Sequence, residues 1–220
     1  MKIKEFETFV VGNPPPRFGG RYFLFVKLVT DTGIVGYGEV YAATFGAETI
    51  AGMIADTAER YVVGHDPFHI EALFHRVYGS GYSLRPDISL MGVLSGLEMA
   101  CWDIIGKACD KPVYELLGGQ VHDRLRTYTY LYPADGDVYP SHDDDQHIYV
   151  NADKAAERAL NYVEQGFTAV KFDPAGAYTV YDGGMPTLEE LDRSERFVST
   201  IRAAVGDRAD LLFGTHGQFT

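Results

Sequence analysis

The segment that most constrains the fold is GFTAVKFDP, residues 166–174, which has the pattern of a short buried strand. Residues 167–170 predict the strand itself, and Lys171 and Asp173 follow at its carboxyl end. Side chains in a strand alternate between its two faces, so Lys171 and Asp173 project from the same face, about 6.6 Å apart along the strand axis. The segment therefore predicts an amine and a carboxylate side by side at one edge of a sheet.

Helical patterns lie on both sides of this strand. The preceding helix is predicted to begin after Asn151 as its N-cap and to stop at Gly166. The following helix is predicted to open with a capping box formed by Thr187 and Glu190. Alternating helices and strands are typical of a parallel α/β sheet, in which chemistry is found at the carboxyl ends of the strands. The amine and the carboxylate at the strand end are therefore candidate catalytic groups.

The pair of Lys171 and Asp173 also has a purely structural interpretation. A lysine and an aspartate at a strand end commonly form a salt bridge that faces water and contributes little to stability. The position at the end of a parallel strand weakens this structural interpretation but does not displace it, because perturbed or paired ionisable groups are often merely structural. The pattern by itself leaves both interpretations open.

The composition is that of an acidic globular chain. Lys and Arg number 19 against 31 Asp and Glu, and the resulting formal charge of −12 argues against nucleic acid or anionic membranes as partners. We find no signal peptide pattern and no apolar run approaching about 18 residues, the length of a membrane span. Cys101 and Cys109 lie in one predicted helix, too far apart to form a disulfide. Reduced core thiols predict a cytoplasmic protein.

The first half of the chain predicts a three-stranded antiparallel sheet followed by helices. The strands are expected at residues 1–11, 21–30 and 34–40. The segment NPPPRFGG, residues 13–20, predicts a loop between the first two strands, which is either a lid or a plain surface connection. Four helical patterns follow, at residues 47–63, 68–77, 89–108 and 113–117. The Gly-Gly sequence after the last of them indicates a domain boundary.

The remainder of the chain continues the parallel α/β pattern. Residues 125–132, LRTYTYLY, predict a strand with alternating tyrosines, and residues 210–213 predict another that delivers His216 near its carboxyl end. A long polar loop after the first of these strands contains three consecutive acids, residues 143–145, flanked by two histidines. A metal site and a solvated acidic surface are both compatible with this loop, and repulsion between neighbouring acids favours the surface.

Four motifs taken together resemble those of the enolase superfamily. They are GIVGYGE (residues 33–39), SGLEMACWDIIGKACDKPVYELLGG (95–119), GFTAVKFD (166–173) and the last strand with THGQ (215–218). Within the superfamily, the chain is most similar to the acid-sugar dehydratases of the mandelate racemase-like subgroup, and to the galactonate-type dehydratases in particular. The resemblance covers nearly the whole chain, and its motifs are specific as a set although each is short.

The resemblance implies an α/β architecture in two parts. Residues 1–118 would form an N-terminal α+β capping domain, and residues 119–220 about the first three βα units of a (β/α)7β barrel. It also implies bound Mg²⁺, a small sugar-acid substrate and assembly into a homo-oligomer. Residues 13–20 and the segment near 79–86 would be capping loops that close over substrate, which favours the lid interpretation of the first loop. The substrate-contacting candidates on these loops are Asn13, Arg17, Arg21 and Tyr82.

The reaction implied by the resemblance is dehydration of an aldonate or aldarate. A proton α to the substrate carboxylate is removed, Mg²⁺ stabilises the enediolate, and a β-hydroxyl leaves. Lys171 matches the first lysine of the family motif on the second barrel strand and is expected to contact the substrate carboxylate. Asp173 takes the second motif position, where a carboxylate orients Lys171 or contacts a substrate hydroxyl. His216 matches the histidine that acts on the leaving hydroxyl as a general acid.

Two features depart from the family pattern. The third-strand metal ligand, normally a carboxylate, aligns with Gly214, and His216 is the alternative ligand although Mg²⁺ prefers oxygen. Residues 124–220 suffice for about three βα units, whereas an eight-stranded barrel needs about 250 residues in all. The sequence is therefore interpreted as the N-terminal portion of a longer protein and is expected to be inactive by itself.

Three other functions stay open on this sequence. A racemase or cycloisomerase of the same superfamily shares the proton-abstraction step and differs in the later steps of its reaction. A non-catalytic homologue used for binding or assembly is supported by Gly214 at a ligand position. A Schiff-base mechanism at Lys171, as in aldolase-like barrels, is the third.

Overall fold

The computed structural model of the chain describes residues 1–15, 17–41, 45–133, 147–174 and 186–215. These residues form two compact units. The first unit contains residues 1–14 and 19–123, and the second contains residues 15–18 and 124–220. The predicted fold class is confirmed: an α+β unit with three antiparallel strands precedes a parallel βα region. The assignment of residues 1–118 and 119–220 as capping domain and partial barrel stays a prediction.

The sheet of the first unit has the order β1-β2-β3 and is antiparallel throughout. Its strands are β1 (Ile3–Gly12), β2 (Tyr22–Thr30) and β3 (Val35–Val40). Alternate residues of β2 are buried, which places one face of the sheet on the core of the unit. Gly33 closes the turn between β2 and β3 with φ +84°, a backbone conformation that favours glycine, and its N–H donates to the Thr30 carbonyl.

Four helices complete the first unit, as the sequence predicted. They are α1 (Ala47–Tyr61), α2 (Ile70–Ser80), α3 (Ile88–Cys109) and α4 (Val113–Leu116). The second begins two residues later than predicted and extends to Ser80. The Asp87 side chain accepts a hydrogen bond from the Leu90 N–H and caps the start of α3.

Helix α3 is the central element of the first unit. Its residues Val93, Leu97, Ala100 and Ile104 are fully buried in one core cluster with side chains of β2, α1 and α2. Within the described part of the chain, α3 is long and apolar enough to cross a membrane, so the expectation that no segment approaches that length was wrong. Its apolar composition matches its place in a protein core, where apolar side chains on several sides of a helix have neighbours to contact.

The second unit contains a three-stranded parallel sheet with the order β4-β5-β6. Its elements are β4 (Thr129–Tyr130), α5 (Ala152–Glu164), β5 (Ala169–Phe172), α6 (Leu188–Val205) and β6 (Asp210–Phe213). The strand predicted at residues 125–132 is much shorter, because only Thr129 and Tyr130 pair with β5. Lys171 lies within β5 and not after it.

One face of β5 forms the core of the second unit. Val170 and Phe172 are buried together with residues of α5 and α6. The two helices begin as predicted: the Asn151 side chain accepts from two backbone N–H groups of α5, and Thr187 and Glu190 form the capping box of α6. Because Val170 and Phe172 point to the helices, the period of two leaves Lys171 on the opposite face of the sheet.

Candidate functional site

The candidate site lies where the parallel strands of the second unit end. Lys171 is opposite Tyr130 in the register of β4 and β5, and the Leu131 N–H donates to the Lys171 carbonyl at 2.9 Å. On the other side, the Gly214 N–H donates to the Phe172 carbonyl at 2.9 Å. The hydrogen-bonded ladder therefore continues past the strand ends and brings these segments to one edge of the sheet.

Lys171 has an ammonium group without a carboxylate partner in the described part of the chain. Its side chain is half-buried, and Nζ lies 5.8 Å from the centroid of the Tyr128 ring, within the range of a cation–π contact. The ion pairs formed within 4.0 Å by the described residues do not include Lys171. Lys171 and Asp173 therefore do not form the strand-end salt bridge that was the structural alternative.

Asp173 is held from the neighbouring strand. Its Oδ2 accepts a hydrogen bond from the Tyr130 hydroxyl at 2.7 Å, and its Oδ1 is buried. Oδ1 lies against Gly214: a Cβ at position 214 would overlap it and would stand 3.2 Å from Cε of Lys171. Lys171 in β5, Asp173 directly after β5 and Gly214 directly after β6 therefore converge on one point, and the absence of a side chain at 214 leaves room for the Asp173 carboxylate.

Aromatic side chains surround this edge of the sheet. The Tyr130 ring centroid is 5.2 Å from Tyr132 and 5.9 Å from Tyr149, and His147 lies 4.9 Å from Tyr149. Phe18, which groups with the second unit, stacks on Tyr132 at 5.0 Å. Sequence reasoning did not assign Tyr128 or Tyr130 to the site. The alternating tyrosines of residues 128–132 carried the signal, because residues two apart share one face of a strand.

The loop candidates are exposed or half-buried residues with defined backbone contacts. The Asn13 side chain donates to the Gly20 carbonyl at 2.7 Å, and its N–H donates to the Arg21 carbonyl at 2.9 Å, so the base of the 13–20 loop is closed by hydrogen bonds. Arg17 has φ +54° and groups with the second unit. Tyr82 has an 83% exposed side chain. Substrate contact by these four residues stays a prediction.

Two predictions fall on residues that the structure does not describe. His216, the proposed general acid, lies just beyond the described range, which ends at residue 215. The acidic loop with residues 143–145 lies in the gap between residues 133 and 147. The neighbouring His147 is described and is buried, with its Nδ1 accepting from the Tyr149 N–H at 3.2 Å.

The described residues supply part of a metal site at most. Among them, no three His, Cys, Asp or Glu side chains lie together in a group that holds a metal ion. Gly214, where the resemblance places the family's third-strand ligand, has no side chain to offer. The Asp173 carboxylate fills the space beside Gly214 and is a hard oxygen donor of the kind that Mg²⁺ prefers, so it fits as one ligand.

Burial shifts the pKa values of Cys101 and His65, which lie outside this edge. Burial, with a smaller contribution from Glu98, raises the pKa of the Cys101 thiol to about 12, so this cysteine is not a nucleophile near neutral pH. Desolvation, followed by the positive charges of Arg76 and Lys2, lowers the pKa of His65 below its usual value. Both belong to the first unit and have no part in the candidate site.

Comparison with known proteins defines the class to which this α/β chain belongs. Residues 18–118 match the model of the mandelate racemase/muconate lactonizing enzyme N-terminal domain. Curated relatives include a D-gluconate dehydratase from Thermoproteus tenax, 35% identical over 90% of this chain, and a D-gluconate/D-galactonate dehydratase from Picrophilus torridus, 30% identical over 99%. A solved structure assigned to the same racemase/lactonizing type, from Labrenzia alexandrii, is 64% identical over the whole chain, with a TM-score of 0.88.

Residues 18–118 belong to the mandelate racemase/muconate lactonizing enzyme N-terminal domain family, and the resemblance of the chain to this branch of the enolase superfamily is confirmed. The chain spans 36% of the Thermoproteus relative, 51% of the Picrophilus relative and 54% of the Labrenzia chain. The relatives are thus about twice as long as the chain or longer. The activity, substrate and partners of the complete protein are therefore proposals.

Proposed function

We propose that the complete protein carrying this chain is an acid-sugar dehydratase, a hydro-lyase acting on an aldonate or aldarate. The names of the curated relatives support this class, since they are dehydratases of D-gluconate, D-xylonate and D-galactonate. Their identity to this chain is moderate, 35% or lower, so the class of substrate is proposed and no particular sugar acid is.

The ammonium group of Lys171 is the observation on which the proposal rests. It is half-buried at the carboxyl end of a parallel strand, has the Tyr128 ring at 5.8 Å, and takes part in no ion pair among the described residues. A cation without a carboxylate partner in such a place attracts an anionic ligand. The carboxylate group of a sugar acid is a ligand of that charge.

Within this proposal, the residues of the chain have separate roles. Lys171 binds the substrate carboxylate and stabilises the negative charge that develops on it when a base outside the described residues accepts the α-proton. His216 donates a proton to the leaving β-hydroxyl, a role suited to a side chain that titrates near neutral pH. A divalent cation, when bound, supplies further stabilisation of the charge on the carboxylate oxygens.

A racemase or cycloisomerase is the second candidate. The name of the solved structure at 64% identity, a mandelate racemase/muconate lactonizing enzyme, is compatible with this candidate. Both candidates begin with removal of the α-proton. They differ in whether the β-hydroxyl then leaves, so the product distinguishes them.

The proposal extends to the loops, the assembly and the location of the protein. Residues 13–20 and 79–86 are proposed as loops that close over substrate, and the closed base of the first loop, where Asn13 bonds to Gly20, supports a defined shape for it. A homo-oligomer and a cytoplasmic location are proposed with it. The free thiols of Cys101 and Cys109 support a reducing compartment.

Replacement of Lys171 by methionine tests the proposed function. The change removes the charge and keeps the length of the side chain. We expect formation of keto-deoxy acids by the complete protein, assayed over a library of aldonates and aldarates, to fall by about 10³-fold, because a charge that stabilises the transition state is lost. Lys154→Met is the matched control, since Lys154 lies on α5 of the same unit with an exposed side chain.

The products decide between the candidate functions. A keto-deoxy acid that disappears with Lys171→Met and persists with Lys154→Met supports the dehydratase. Exchange of the α-proton with deuterated solvent, without loss of water from any substrate, replaces the dehydratase by the racemase or cycloisomerase. Wild-type turnover by Lys171→Met removes Lys171 from the reaction.

A further inference from the structure

The carboxylate of Asp173 lies where the family's third-strand side chain would begin. Gly214 follows β6 directly, and its N–H is bonded to the carbonyl of Phe172, so position 214 is next to position 173 across the sheet. A Cβ built on Gly214 would overlap Oδ1 of Asp173 and would stand 3.4 Å from its Cγ. The carboxylate thus enters from β5 the volume that a side chain on β6 would otherwise occupy.

We propose that Asp173 provides the metal-binding carboxylate of this part of the site, in place of the third-strand carboxylate that Gly214 lacks. The inference rests on the proposed function only in assuming that the complete protein binds a divalent cation. It assigns to a residue of β5 a role that sequence reasoning sought on the next strand. It also explains why position 214 is a glycine, because any side chain there would displace the Asp173 carboxylate.

The contacts of Asp173 suit a metal ligand. Its Oδ2 accepts from the Tyr130 hydroxyl at 2.7 Å, and this bond fixes the rotation of the carboxylate. Ligating carboxylates in proteins are commonly oriented by such hydrogen bonds from neighbouring groups. With Oδ2 held by Tyr130, Oδ1 occupies the space beside Gly214 that a Cβ would otherwise fill. Carboxylate oxygen is also the donor that Mg²⁺ selects over nitrogen and sulfur.

The alternative role for Asp173, orienting Lys171, has less support. A carboxylate orients an ammonium group by forming an ion pair with it, and the ion pairs within 4.0 Å among the described residues do not join Asp173 to Lys171. Lys171 has instead the Tyr128 ring near its Nζ. The amine and the carboxylate converge near Gly214 but have different neighbours, which indicates different ligands.

Metal affinity of the complete protein, measured without substrate, tests the inference. Binding of Mn²⁺ is followed by electron paramagnetic resonance and binding of Mg²⁺ by calorimetry. We expect Asp173→Asn, which keeps the volume and removes the charge, to weaken binding more than about 100-fold, and Tyr130→Phe, which removes only the orienting hydroxyl, to weaken it about 10-fold. Lys154→Met is again the control and should bind as the wild type does.

A second experiment moves the carboxylate from position 173 to position 214. Asp173→Ser should bind the metal weakly, and the double variant with Asp173→Ser and Gly214→Asp should return to within about tenfold of wild-type affinity, because the carboxylate then enters the same volume from β6. Gly214→Asp alone should not strengthen binding, since its side chain would overlap that of Asp173. Thermal unfolding of each variant identifies any that do not fold. If the Asp173 variants do not fold, the metal affinity of Tyr130→Phe is compared with that of the wild type.

The inference and the proposed function fail in different ways. Wild-type metal affinity of Asp173→Asn overturns the inference even if the protein forms keto-deoxy acids. Absence of any divalent-cation binding by the wild-type protein also overturns it. Metal binding that depends on Asp173, in a protein that dehydrates no sugar acid, supports the inference and rejects the dehydratase.

Discussion

Cys101 lies on the buried face of α3, with 2% of its side chain exposed. Its burial disfavours the thiolate and raises the pKa to about 12 from an ordinary 9.0, with Glu98 acting in the same direction. The neutral thiol is therefore favoured by the folded state. This contribution to stability is complete below pH 9 and is lost as the pH rises towards 12, at a cost of about 4 kcal/mol once the thiol has ionised.

The two cysteines are expected to differ in reactivity. At pH 8 iodoacetamide should label Cys109, which is exposed in the first unit, much faster than Cys101, which should react only when the protein unfolds. Peptide mass spectrometry of native and urea-unfolded samples measures both in one experiment. Rapid labelling of Cys101 in the native protein would contradict its place in the core.

At the level of elements, close contact between α3 and β3 holds the first unit together. A Cβ on Gly36 would overlap the Ala100 carbonyl oxygen, and one on Gly38 would overlap the Gly96 carbonyl oxygen. The helix backbone therefore lies directly on the strand at two successive inward positions. Asp103 joins the same elements, since its carboxylate accepts from the Tyr37 N–H at 2.9 Å and from Lys107 Nζ at 2.7 Å.

Replacement of Gly38 by alanine should separate α3 from β3. We expect the free energy of unfolding to fall by about 2–3 kcal/mol, because the new methyl group meets a backbone carbonyl that cannot rotate away. Gly52→Ala is the matched control: it lies in α1 with no atom within 4 Å of its Cβ position and should be neutral or stabilising by about 0.5–1 kcal/mol. Urea unfolding gives both values, and equal stability of the two variants would refute the packing argument.

The elements also show where sequence reasoning succeeds. Helix ends were predicted well, because Asn151, Gly166, Thr187 and Glu190 act on backbone groups within a few residues of themselves. The tyrosine-rich strand was predicted too long. Its alternation is a local property, whereas pairing depends on a neighbouring strand about 40 residues away, which reaches only Thr129 and Tyr130.

For the molecule as a whole, the division into two compact units leaves an exposed connection. Residues 117–128 are exposed throughout and belong to no helix or strand. Arg126 is the anchored member of this segment: its guanidinium donates to Thr168 Oγ1 at 2.9 Å and to Asp210 Oδ2 at 2.6 Å. The connection is thus attached to the second unit through Arg126, and Tyr128 at its end contacts Lys171.

Limited proteolysis should cleave the chain first in this exposed connection. In native protein, we expect trypsin to cut after Arg124, which is exposed and lacks the contacts of Arg126, before it cuts after Arg60 or Arg76 in helices α1 and α2. Mass spectrometry of early time points identifies the sites. An initial cut within α1 or α2 would contradict the division of the chain at this place.

The candidate site was only partly accessible to sequence reasoning for a similar reason. Lys171 and Asp173 were found because their strand and its flanking helices are contiguous in sequence. Tyr130 is bonded to Asp173 across 43 residues, and no local pattern links the two. Gly214 was recognised as a missing ligand, but a glycine carries no sign of the side chain that fills the space next to it.

The overlap between Asp173 and any side chain at position 214 also affects how such a site is inherited. An ancestor with carboxylates at both positions would crowd two acids into one volume, and one with carboxylates at neither would offer no oxygen donor there. Substitutions at the two positions are therefore expected to be coupled, because the side chain at one position limits the volume left for the other. Relatives are better compared at positions 173 and 214 together than at position 214 alone.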